Sequence, residues 1–256
     1  MLFRSPDALA IVDGEVRLSY AQWLARISSL VAAFDGIGLR AGDHLVTVLQ
    51  NRWEAASLHW ACQFAGLIMT PVNWRAKPDE IDFVLENAGA KAIAFEAVSA
   101  AALAESTLAA GLPRIAVGSD AGPADLSFAQ MIAREAPTAT PRANAEAWSL
   151  MLYTSGTTAK PKGVPRRHRA ERMAALAHVA QNLYGNGECT LGVMPLYHTM
   201  GVRSLLAMSL IGGTFVCLPR FDAARALELI EAERVSNLYL VPTLYHDVVQ
   251  DRKSVV

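Results

Sequence analysis

Met151-Leu152-Tyr153-Thr154-Ser155-Gly156-Thr157-Thr158-Ala159-Lys160-Pro161-Lys162-Gly163-Val164 is the stretch on which the reading of this chain turns. From Leu150 to Tyr153 the residues are apolar and read as a short buried strand. The chain then passes into hydroxyl residues, a glycine and two lysines, and becomes apolar again at Val164. Hydroxyls and free backbone N–H groups can converge on anionic oxygens, glycine lets the backbone approach them closely, and lysine adds a mobile positive charge. The same residue types also build ordinary polar turns. Their density and order here favour a loop that holds phosphate. It is not the P-loop pattern G-x-x-x-x-G-K-[ST], because Lys160 is followed by Pro161 and Lys162 by Gly163.

Outward from this loop the chain alternates short apolar runs with helical periodicity. Ala8–Val12 and Val16–Leu18 flank Asp13-Gly14, a hairpin signal. Ser19 with Gln22 forms a capping-box pattern, followed by Trp23, Ile27, Leu30, Val31 and Phe34 at helical spacing. Gly36-Ile37-Gly38 follows a helix and precedes a strand, the reverse of a dinucleotide fingerprint, and reads as a helix end. Strands are predicted at 44–49, 67–72, 91–95 and 114–117, and helices at 53–65, 78–87, 98–109 and 126–134. After the loop, helices are predicted at 169–184, 200–211, 222–233 and from 243, with strands at 189–194, 214–218 and 237–241. This order implies an α/β fold, rich in βαβ units, with mostly parallel sheets and helices on both faces. The proline- and threonine-bearing stretch 136–147 reads as a connector between possible lobes 1–135 and 148–256.

Bulk properties narrow the function. A chain of 256 residues with 52% hydrophobic and 18% charged residues has the composition of a globular protein with a sizeable core. A net charge of −1 gives no reason to expect a nucleic-acid partner. No apolar run reaches the roughly 20 residues that span a bilayer, and no signal-peptide h-region opens the sequence, so membrane insertion is not expected and the cytoplasm is. Cys62, Cys189 and Cys217 lie far apart in apolar contexts and read as reduced core residues. No zinc-type spacing occurs, and the metal ligands stay unknown. The basic run Arg166-Arg167-His168-Arg169 is read either as a solvated helix start or as an aid to nucleotide binding. A homodimer is left open.

Met194-Pro195-Leu196-Tyr197-His198-Thr199-Met200-Gly201 is the second stretch with chemistry in it. A strand ends, proline interrupts the ladder, and an aromatic residue, a histidine and a glycine sit where a helix opens. Open α/β sheets bind ligands at the carboxyl ends of their strands, which gives His198 a site role in preference to simple loop packing.

With both stretches quoted, the chain resembles the adenylate-forming (AMP-binding) superfamily, whose signature is Y-T-S-G-[ST]-T-G-x-P-K-G-V. The match fails at one position, where Ala159 stands for glycine. Further family-like sequence occurs at Pro6–Ala10, Gly38–Asp43, Gly66–Asn73 and Glu86–Lys91, and the part from Pro195 to Thr243 is most similar to the aryl- and chlorobenzoate-CoA ligase branch. The resemblance implies the incomplete N-terminal domain of an acyl-CoA synthetase. Such an enzyme uses ATP, Mg2+ and coenzyme A to turn a carboxylic acid into an acyl-adenylate and then a thioester. It implies that Thr154, Ser155, Gly156, Thr157, Thr158 and Lys162 cradle the ATP phosphates. It implies likewise that His198, Thr199, Met200 and Gly201, with Ala177 on the preceding helix, shape a pocket for a small-molecule carboxylic acid, aromatic or alicyclic. By the same resemblance the catalytic residues lie in a later part of the protein, none in this chain, which alone is expected to be inactive. An amino-acid-activating adenylation domain and a truncated, non-catalytic binding paralogue stay open as alternatives.

If position 159 needs a positive φ, alanine there costs on the order of 1 kcal/mol and stiffens the loop. Ala159→Gly is therefore expected to leave ATP affinity intact or improve it. Calorimetric titration checks this, and a large loss of affinity would contradict it.

Overall fold

The computed structural model of the protein describes residues 5–154 and 161–254, the last four as backbone. In chain order the first elements are β1 (Leu9–Asp13), β2 (Val16–Ser19), α1 (Tyr20–Gly36), β3 (His44–Val48), α2 (Trp53–Ala65), β4 (Ile68–Val72) and α3 (Pro78–Ala88). Next come β5 (Ala92–Glu96), α4 (Ala97–Glu105), β6 (Arg114–Val117), β7 (Leu126–Ser127), α5 (Phe128–Ala133), β8 (Trp148–Thr154) and β9 (Lys162–Arg167). The last are α6 (His168–Gln181), β10 (Cys189–Gly192), α7 (Thr199–Ile211), β11 (Thr214–Cys217), α8 (Ala223–Ala232), β12 (Asn237–Leu238) and α9 (Pro242–Ser254).

The chain forms two compact units. The first comprises residues Met1–Trp23, Asn51–Trp53 and Arg172–Val256, and the second Leu24–Gln50 and Glu54–Glu171. They alternate along the sequence, whereas the expected lobes 1–135 and 148–256 follow one another. The stretch 136–147 lies wholly inside the second unit.

Among the described residues the second unit holds a seven-stranded sheet in the order β7-β6-β5-β3-β4-β8-β9. All its pairings are parallel except that of β8 with β9. The continuous apolar runs of β4 and β5 follow from burial on both faces: every residue of either strand is buried. Val46, Val48, Ile93 and Phe95 pack with Ile81, Val84 and Leu85 of α3 and Leu103 of α4 in one core cluster. Helix α3 has the ends its sequence predicts. Pro78 occupies its first turn, the Lys77 N–H donates to Glu80 Oε2 at 2.8 Å, and Gly89 closes it in the left-handed conformation.

The first unit, among its described residues, holds a five-stranded sheet in the order β12-β10-β11-β1-β2. Strand β1 runs parallel to β11, with Ile11 opposite Phe215, and antiparallel to β2 across the Asp13-Gly14 turn. Val12, Leu191, Val216, Ala226 and Leu229 form the centre of its core. The capping box at the start of α1 is present: the Ser19 N–H donates to Gln22 Oε1 at 2.9 Å. Cys62, Cys189 and Cys217 are buried, as expected, and none of them is in a disulfide.

Several boundaries differ from the prediction. Residues 162–167 form a strand that the sequence reading missed, because Arg166, Arg167 and Pro165 hide any alternation. Helix α6 accordingly opens at His168 and ends at Gln181, before the predicted Tyr184. The helix predicted over 126–134 begins only at Phe128, since Leu126 and Ser127 pair with Ile115 and Ala116. The helix predicted to Ala109 stops at Glu105, where the Asp82 carboxylate draws the N–H groups of Thr107 and Leu108 into bonds of 3.0 and 3.1 Å.

One buried group makes the fold acid-sensitive. His59 of α2 is 3% exposed, and its Nε2 has no hydrogen-bond partner among the described residues. Burial, with a smaller contribution from His168, pushes its pKa down to about 4. The folded ring thus binds its proton less tightly than the unfolded one. Stability from His59 is fully present above about pH 6.5 and is lost as pH falls toward 4, a loss of roughly 3 kcal/mol. Urea titrations across this range are expected to show that loss in the parent protein and a smaller one in His59→Phe.

Candidate functional site

The hairpin of β8 and β9 carries the first stretch. Leu152 lies opposite Val164, Tyr153 opposite Gly163 and Thr154 opposite Lys162. Thr154 and Lys162, both exposed, are therefore cross-strand neighbours at the open end of the ladder. Ser155, Gly156, Thr157 and Thr158, with Ala159, lie outside the described residues. Gly163 is needed by close approach. A Cβ there would lie 2.9 Å from Met151 Sδ and 3.1 Å from Tyr153 Cζ, so only glycine lets the Tyr153 ring fold across the partner strand. That ring is fixed in turn, its hydroxyl donating to Asn87 Oδ1 at 2.7 Å and its edge meeting Phe83 at 6.3 Å.

The basic run is committed elsewhere. Arg166 pairs with the buried Glu171, and Arg167 Nη1 donates to Glu146 Oε2 at 2.8 Å while its guanidinium lies 4.7 Å from the Trp148 ring centre. Arg169 Nε reaches Glu146 Oε1 at 3.2 Å. These arginines stiffen the hairpin base and the start of α6. Lys162, by contrast, makes no ion pair with a described carboxylate. No cluster of three or more His, Cys, Asp or Glu side chains suited to a metal occurs among the described residues. The described part of the chain thus offers no cage for a bare cation, but it is compatible with Mg2+ arriving on a triphosphate, which needs few protein ligands.

The second stretch lies in the first unit, between β10 and α7. His198 is the N-cap residue of α7 with extended backbone, and its N–H donates to Pro195 O at 2.9 Å. Its exposed ring stands 4.7 Å from that of Tyr197, and partial desolvation holds its pKa below the usual histidine value. Thr199 and Met200 are half-buried. Gly201 is buried against the loop itself: a Cβ there would lie 2.1 Å from Pro195 O and 2.5 Å from Met194 O. This glycine lets the loop lie flat on the first turn of α7. Arg203, one turn on, brings Nη1 to 3.8 Å from Met200 Sδ. Ala177 is exposed on α6, beside the buried His178, whose ring stacks on Tyr184 at 5.4 Å and on Tyr239 at 5.0 Å. Burial and then the nearby Arg203 charge lower the pKa of His178.

One contributor to this loop has no sequence signal. Asn51 reads as an ordinary loop residue between a strand and a helix, yet it is 4% exposed and bonded to Gly192, Met194 and Leu196. Only the three-dimensional pairing of distant segments reveals it.

Comparison with known proteins bears on both stretches. The family model described as AMP-binding enzyme matches residues 3–255. The chain is 29% identical over 250 residues to a feruloyl-CoA synthase of an Amycolatopsis species, covering 95% of this chain and 48% of that protein. It is 27% identical over 261 residues to the peroxisomal benzoate–CoA ligase of Arabidopsis thaliana, covering 94% of this chain and 45% of that one. The chain thus spans about half the length of the curated relatives it matches. Among solved structures, ATP-bound MatB from Rhodopseudomonas palustris is similar with a TM-score of 0.84 and 26% identity, over 97% of this chain and 50% of that one. The inhibitor-bound N-terminal domain of FACL13 from Mycobacterium tuberculosis shares the fold, with a TM-score of 0.87 at 24% identity over 96% of this chain and 62% of that one. With the quoted signature inside a match that runs nearly end to end, the chain belongs to the AMP-binding enzyme family.

Proposed function

We propose that this chain is the N-terminal part of an ATP-dependent carboxylic acid–CoA ligase acting on a compact aromatic or alicyclic acid. The observation that carries the reading is the Thr154–Lys162 pair at the end of the hairpin, with the hydroxyl-rich signature between them, in a chain of the AMP-binding family. The named activities of the feruloyl and benzoate ligases support the acid class.

In this reading a carboxylate oxygen attacks the α-phosphorus of ATP, the bond to the bridging oxygen breaks, and pyrophosphate leaves with its electron pair. Coenzyme A thiolate then attacks the acyl carbon and AMP departs, giving the thioester. The protein's task in the first step is positioning and charge stabilisation, with little covalent work. Lys162 places an ammonium beside the departing pyrophosphate, and Thr154 supplies a hydroxyl next to it. Ser155, Gly156, Thr157 and Thr158 are assigned to the same cradle by their place in the signature. Mg2+, when bound with the triphosphate, neutralises charge that the described residues leave uncompensated. On the acid side His198, Thr199 and Met200 present a polar edge and a soft wall, and Ala177 adds a small apolar surface. Gly201 shapes this side through the loop it supports.

Pyrophosphate release by the intact protein, assayed with a panel of aromatic and alicyclic acids, tests the proposal. Acid-dependent release is expected, and its absence for every acid would refute it. Lys162→Ala is expected to weaken ATP binding about tenfold, equivalent to about 1.4 kcal/mol, with acid affinity unchanged. Calorimetry with each ligand separately checks that split.

A further inference from the structure

Between Gly192 and His198 the chain has no regular secondary structure, yet Val193 and Leu196 are buried. Buried backbone groups in such a segment need partners, and neither helix nor sheet supplies them here. One side chain does. Asn51 Nδ2 donates to Gly192 O and to Met194 O, both at 2.8 Å, and the Leu196 N–H donates to Asn51 Oδ1 at 2.8 Å. Both amide hydrogens and the amide oxygen are engaged, so the three partners fix the orientation of the group without ambiguity. Its own backbone is anchored next door, where the Trp53 N–H donates to Asp13 Oδ2 at 3.0 Å at the end of β1. The Met194 carbonyl that Asn51 holds is also one of the two that press on Gly201.

We propose that Asn51 is a positioning residue for acid recognition: its amide sets the path of Met194–Leu196 and thereby the placement of Tyr197, His198 and the first turn of α7. The substrate part of this inference rests on the ligase reading. Asn51 acts through the loop. It makes no claim on the phosphates, which the hairpin of β8 and β9 is assigned to hold. A residue that only stabilised the fold would affect both substrates together, whereas a positioning residue of this kind separates them.

Two measurements on the intact protein decide the matter. In protein labelled with 15N-histidine, with the His198→Ala variant identifying the His198 ring signals, Asn51→Ala is expected to move those signals while His44 and His59 keep theirs. In the pyrophosphate assay with benzoate as the acid, Asn51→Ala is expected to raise KM for benzoate about tenfold and to leave KM for ATP within about twofold. Unchanged His198 signals, or equal rises in the two KM values, would overturn the inference. Asn51→Asp is nearly isosteric and keeps the acceptor for Leu196 while losing both donors, so it serves where Asn51→Ala fails to fold, with the same split expected. If the unsubstituted protein releases no pyrophosphate with any acid, the ligase reading falls, and the histidine signals alone then judge the role of Asn51 in placing the loop.

Discussion

The parallel pairing of β1 with β11 is the constraint on which the first unit depends. By setting Ile11 opposite Phe215 and Val12 opposite Val216, it makes β1 an internal member of a sheet whose other strands, β2 apart, come from the last third of the sequence. The end of β1 then presents the Asp13 carboxylate, which receives the Trp53 N–H. That bond secures the short segment carrying Asn51, and Asn51 secures the loop ahead of His198. His198, for which an acid-side role is proposed, thus follows a series of side-chain-to-backbone bonds, each satisfying polar groups that burial would otherwise leave unpaired. Desolvation of the Asp13 carboxyl, which raises its pKa despite the Trp53 bond, shows how far inside this series lies.

The second unit reaches its chemistry by a different route. Its parallel strands are largely buried, and Thr154 and Lys162 lie at the end of one antiparallel hairpin at the edge of the sheet. Tyr153 over Gly163 fixes the register of that hairpin, and register is what sets Thr154 beside Lys162. Arg166 pairs with Glu171, and Arg167 and Arg169 share Glu146, whereas Lys162 makes no ion pair with a described carboxylate. An anion meeting this edge therefore encounters a local charge in a protein whose net charge is only −1.

Much of this was legible in the sequence, for identifiable reasons. Helices α1 and α3 carry complete capping signals and a clear apolar stripe, and the turns at Gly14 and Gly89 use glycine where φ is positive. Strand β9 was illegible because a glycine, a proline and three charged residues leave Val164 its one apolar side chain, and it is held by pairing with β8. Grouping β1 with β11 could not be seen either, since no local pattern records a partner so distant. The same holds for Asn51, whose identity suits a turn equally well. His198 and Lys162 were singled out because a strand end followed by polar, aromatic or glycine residues has few ordinary structural uses.

The distant partner of β1 also has a bearing on synthesis. As the chain emerges from the ribosome, the hairpin of β1 and β2 is made well before β11, the strand that must lie against β1. The segments of the second unit are complete once Glu171 has emerged, so they can close while β1 still has an unpaired edge. Completion of the sheet around β1 therefore waits for β11, and a non-local closure of this kind is slow. For that interval the apolar side chains of Ala10, Ile11 and Val12, buried in the finished protein, sit on a strand that lacks its β11 neighbour. Nascent chains therefore pass through a stage in which one edge of β1 awaits its partner.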